Sequence, residues 1–154
     1  MTKYFLFFFA MFLCLSTSFG QSEASKRLKQ FNVANKLAIQ GYDPVAYFKQ
    51  GKAVKGSATH AATVEGVVYY CASAANKAAL LANPAAYEPQ YGGWCAYAMG
   101  ANGEKVEINP QTFKIVNGKL YLFYNAYFNN TLTPWNKEEA NLKKKADVNW
   151  KKLY

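Results

Sequence analysis

Cys95 and Met99 come nearest to defining a chemistry, because a thiolate and a thioether four residues apart are the donors that a soft ion selects. On a helix that spacing puts both sulfurs on one face, so Cu(I) or another soft metal is an expected ligand. His60, the one histidine, or Cys71 could supply a third donor. The same residues also have structural readings. Met99 could fill the core, Cys95 could be a buried small hydrophobe or pair with Cys71 in a disulfide, and His60 could lie on a strand surface. A third possibility makes Cys95 a nucleophile with His60 as base and Asp43 or Glu65 orienting the imidazole. A fourth makes Tyr42, Tyr47, Tyr91, Trp94 and Tyr97 the walls of an aromatic pocket for a small ligand or a protein. No motif defines a reaction, so a binding protein is expected and no catalytic residue is assigned.

One histidine excludes a His-Glu-x-x-His zinc site, a paired histidine cage and a Cys-x-x-Cys-His haem attachment.

The elements that must position these groups follow from local chemistry. Leu37 and Ile39 alternate as in a short strand, and Asp43-Pro44 reads as an N-cap and first helical residue, opening a helix that Gly51 stops. Thr, Val and Tyr residues around Glu65-Gly66 predict a hairpin from Ser57 to Ala72, with Val67, Tyr69 and Cys71 on one face. Ser73 caps a helix from Ala74 to Ala82, and Asn83-Pro84 ends it. Gly92 and Gly93 allow a tight approach, after which Trp94 to Met99 forms a short helix closed by Gly100. Cys95 then falls in a first helical turn, where the positive dipole end favours a thiolate. Asn117-Gly118 predicts a second hairpin. Trp135, Leu142, Ala146, Trp150 and Leu153 have helical spacing and predict an amphipathic C-terminal helix covering the sheet.

The start of the chain reads as an export signal. Lys3 supplies the positive end, Tyr4 to Leu15 the apolar run, and Ser18 and Gly20 the small residues before a cut after Gly20. Cys14 is expected to leave with it. The 134 remaining residues fit one domain, with 21–36 a partly ordered, polar lead-in and 37–154 the folded unit. That unit is expected to be exported, periplasmic or secreted, and not membrane-spanning. Removing Lys3 takes the net charge from +9 to +8. Such a balance favours anionic surfaces or is simply a basic solvated exterior, and nucleic acid is not an expected partner.

Five stretches, Gly41 to Phe48, Cys71 to Asn76, Asn83-Pro84 with Tyr87, Pro89 to Tyr97, and Ile115 to Leu122, together resemble exported YHS-domain proteins over about Leu37 to Trp150. The resemblance implies a small α+β domain, with short β-hairpins packed against short helices, and a theme of metal handling. Metal-type YHS domains carry Asp-Pro-Val-Cys-Gly-Met and later Phe-Cys-Ser-x-x-Cys. Ala46 replaces the first cysteine, and aligning Ser73 with the motif serine puts Ala72 and Asn76 at the other two. The resemblance therefore points to a branch that kept the scaffold and carries Cys95 instead.

Overall fold

The structure, a computed structural model, describes residues 22–154. The expected signal over residues 1–20, and Cys14 with it, lie outside the described residues. The described chain is a small α+β fold built from a mixed sheet, two further hairpins and a C-terminal helix, as expected. No described helix is long and apolar enough to cross a membrane.

Residues 22–30 are helical (α1), although the polar composition predicts only a partly ordered lead-in. Arg27 explains the difference. It is buried and pairs with Glu88 and Glu65, so a charged residue serves as an anchor beside Leu28, Phe31 and Val33. Neutralising partners are what make such burial tolerable. The segment then pairs as β1 (Val33–Ala34) with β2 (Leu37–Ala38), which runs parallel to β4 (Val67–Cys71). Antiparallel β3 (Ser57–Val64) completes the sheet in the order β1-β2-β4-β3. The expected strand through Ile39 ends at Ala38, because Ile39 and Gln40 turn into left-handed backbone with φ of 50° and 51°.

Asp43 builds the next corner. Its Oδ1 accepts from the backbone N–H groups of Val45 and Ala46, capping α2 (Pro44–Gln50), which Gly51 ends in a left-handed conformation. Its Oδ2 accepts from Ala72 N and Asn76 Nδ2 at 2.8 and 2.6 Å, tying in the end of β4 and α3 (Ala74–Ala82). A single buried carboxylate thus joins two helices to the sheet. A short α4 (Pro84–Tyr87) and a 3-10 turn (Gln90–Gly93) follow.

Cys95 is the N-cap of α5 (Ala96–Ala101) and lies outside its first turn. The correction has a backbone cause, because Cys95 N donates to Val106 O at 3.0 Å and the residue holds a non-helical backbone with φ of −57° and ψ of 116°. Gly100, expected as the stop, lies inside α5. A Cβ there would stand 2.5 Å from Leu142 O, so its role is close approach to α6 (Leu132–Leu153).

Antiparallel β5 (Asn109–Val116) and β6 (Lys119–Phe123) join through the left-handed pair Asn117-Gly118. A smaller hairpin, β7 (Asn125–Ala126) and β8 (Asn129–Asn130), leads into α6.

Two apolar clusters result. One gathers Val45, Tyr47, Val67, Tyr69, Cys71, Leu80, Cys95, Leu120 and Leu122. The other holds Tyr91, Met99, Tyr121, Phe123, Trp135, Leu142 and Ala146. The C-terminal helix belongs to the second cluster, where it covers α5 and Tyr121 and Phe123 of β6, while the first cluster encloses the mixed sheet.

Candidate functional site

The sulfur of Cys95 is fully buried and has two polar neighbours. Tyr124 N donates to it at 3.3 Å, and Thr131 Oγ1 lies 3.4 Å away. Thr131 has one hydroxyl proton, which it gives to Tyr124 O at 2.9 Å. The Cys95 S–H must therefore donate to Thr131 Oγ1. The three residues form a closed ring of hydrogen bonds where β6 leads into β7 and β8 into α6. Cys95 makes no capping bond to α5, so the N–H groups of that helix do not serve its sulfur.

Met99 is also fully buried, but in the other cluster, among Tyr91, Trp135 and Leu142. Met99 N still donates to Cys95 O at 3.0 Å, but the two side chains pack into different clusters rather than on one shared face. His60 lies half-buried on β3 within an irregular register between Ser57 and Ala61. It is not among the residues lining the shallow cleft of about 340 Å³ at Cys95, which include Tyr97, Val106, Tyr124 and Thr131. Among the described residues no three of His, Cys, Asp and Glu gather in a way that could hold a metal. Cys95, Met99 and His60, the expected soft-metal donors, do not line one common cleft. The nucleophile arrangement is not assembled at that cleft either, since His60 does not line it, Asp43 is engaged in capping and Glu65 pairs with Arg27.

Cys71 and Cys95 are both free thiols, so the alternative in which they pair as a disulfide is not the arrangement found. Cys71 ends β4 beside Asp43, and burial first, then that carboxylate, pushes its thiol up to about 11.

The aromatic residues separate. Tyr47 is a core residue whose hydroxyl donates to Pro110 O at 2.8 Å, and Tyr42 stacks under Lys55. Trp94 donates its indole N–H to Gln30 O at 2.7 Å and so fastens α1. Tyr91 alone of the five lines a larger cleft, about 450 Å³, with Phe31, Gly92 and Trp150. Tyr91 and Gly92 are both left-handed, with φ of 55° and 60°, and a Cβ on Gly92 would stand 2.8 Å from Phe31 and Trp150. Gly92 thus lets two rings close over the backbone.

The polar groups of this cleft are unequal. Glu88 accepts from Arg27 and from the Tyr69 hydroxyl, and Asp147 accepts from the Tyr91 hydroxyl at 2.9 Å and from Lys143 at 3.1 Å. Both carboxylates are thus engaged. Lys119 at the start of β6 and Lys151 near the end of α6 also line the cleft, are exposed, and have no ion-pair partner among the described residues. Sequence reasoning missed Phe31, Lys119, Asp147, Trp150 and Lys151 as site residues. Nothing in their spacing distinguishes two of 18 basic residues, or two rings among 26 aromatic ones, from surface and core. No family model, curated protein or solved structure matches the chain, so the resemblance to YHS domains rests on the stretches quoted above.

Proposed function

We propose that the chain is an exported binding module of YHS type whose ligand is a small organic anion with a flat apolar body. The observation that carries this reading is the unbalanced charge of the cleft at Tyr91-Gly92. Its carboxylates are already engaged, while Lys119 and Lys151 stand at an aromatic surface of Phe31, Tyr91 and Trp150. Convergent polar groups in an apolar concavity are the usual form of a small-ligand site. The rings would take the body of the ligand, and the two ammonium groups its carboxylate or sulfonate. A soft-metal role for Cys95 is not the reading taken, because that sulfur is committed to Thr131 and Tyr124.

The test is titration with anilinonaphthalene sulfonate, followed by competition with benzoate and with benzamide. Saturable dye binding is expected, with benzoate displacing it and benzamide doing so poorly. A Lys119→Ala/Lys151→Ala protein should bind about tenfold more weakly, the size that roughly 1.4 kcal/mol of lost attraction gives. Equal affinity in the double variant, or no saturable binding at all, would sink the reading.

A further inference from the structure

Tyr127 and Phe128 form the two-residue turn between β7 and β8, and both have left-handed backbone, with φ of 51° and 63°. A two-residue hairpin turn of this kind favours Asn-Gly, because a side chain with a Cβ is strained at both positions. This chain places two large aromatic residues there instead. They gain no burial in return. Tyr127 is 91% and Phe128 111% exposed, far above the other exposed large apolar residues, Leu81 and Val148.

The base beneath them is fixed. Asn125 Nδ2 donates to Thr112 Oγ1 at 3.0 Å, Asn109 Nδ2 donates to Asn125 O at 3.3 Å, and the Cys95, Tyr124 and Thr131 ring closes the stem. The tip is a held projection of two adjacent rings. Its flanks, Asn125, Ala126, Asn129 and Asn130, are uncharged, and from Ile108 to Asn136 the sequence has no acidic residue and two lysines, Lys119 and a Lys114 that pairs with Glu139. The whole chain carries 18 basic against 9 acidic residues.

We propose that the Tyr127-Phe128 tip is a peripheral membrane anchor that seats its two rings among the headgroups of an anionic lipid surface. Aromatic side chains concentrate at that depth, Tyr because it has an apolar body and a polar end. Two rings alone make a weak attachment, so a second attraction is needed, and the excess of lysine supplies it on anionic lipid. A groove on another protein would also accept the rings, but would not by itself call for the basic excess. The proposal does not depend on the ligand cleft, which Lys119 borders but Tyr127 and Phe128 do not.

The processed chain, residues 21–154, should co-sediment with vesicles of phosphatidylcholine and phosphatidylglycerol and much less with phosphatidylcholine alone, and raised salt should weaken the binding. Tyr127→Asn/Phe128→Gly supplies the residues that the turn prefers while removing the rings. It should lower vesicle affinity at least about tenfold with an unchanged or higher thermal midpoint. Phe128→Trp should add blue-shifted emission on anionic vesicles that acyl-brominated lipid quenches, and this decides the matter if the double variant folds poorly. Absence of wild-type binding to anionic vesicles, equal binding to neutral ones, undiminished binding by the folded double variant, or unshifted emission from Phe128→Trp would each overturn the proposal.

Discussion

Thr131 decides what Cys95 can do. Because its hydroxyl proton goes to Tyr124 O, the thiol proton is directed at Thr131 Oγ1 while the sulfur receives the Tyr124 N–H. A sulfur so occupied works as a positioning group for the β7 and β8 stem. Cys95→Ala should cost about 1–3 kcal/mol, from a small cavity and a buried N–H left without its acceptor. Urea unfolding measures it, and a loss below about 0.5 kcal/mol, the range of an unremarkable surface change, would show that the ring of hydrogen bonds contributes little. The sequence marks Cys95 by its setting between Trp94 and Ala96 but cannot reveal its partners, which lie 29 and 36 positions away.

Elements were legible wherever their ends carry the chemistry that makes them. Asp43-Pro44, Ser73, Glu65-Gly66 and Asn117-Gly118 each declare a cap or a turn, and the structure places α2, α3 and two hairpins on them. The β7 and β8 hairpin has no such declaration, since Tyr127-Phe128 is the wrong chemistry for its turn. Helix α1 was hidden because its principal anchor is an arginine whose partner, Glu88, is 61 residues distant. Asp43 shows how much one such end can carry, for it is fully buried with four donors around it. Asp43→Ala strands those donors and should destabilise by about 3 kcal/mol or more. Asp43→Asn turns an NH₂ group toward at least one pair of donors and should not restore full stability. A chemical denaturation midpoint for Asp43→Asn equal to that of the wild type would show that the carboxylate is replaceable and the joint lies elsewhere.

At the scale of the whole molecule, the aromatic residues that fill the fold also set its limit in alkali. Tyr47, Tyr69 and Tyr91 are buried and donate their hydroxyl protons to Pro110 O, Glu88 and Asp147. Burial is the main cause that raises all three above the ordinary phenol range, and neighbouring carboxylates, Asp43, Glu88 and Asp147 respectively, add to it. Cys71 shifts the same way, to about 11. In the unfolded chain these groups titrate near their ordinary values, about 8.5 for the thiol and about 10 for the phenols. Below both values each state keeps its protons and stability is complete. As pH rises past them the unfolded chain releases protons first, and each such group removes about 1.4 kcal/mol per pH unit until its folded value is reached. Three tyrosines acting together would exhaust a stability of about 5–15 kcal/mol within a few pH units above 10. The urea midpoint should therefore hold steady to about pH 8.5 and fall ever more steeply above pH 10. Phenolate absorbance from these tyrosines should appear together with unfolding. A midpoint level through pH 11.5, or phenolate formation by these tyrosines near pH 10 in the folded protein, would mean that their hydroxyl protons are not part of what holds the two clusters together.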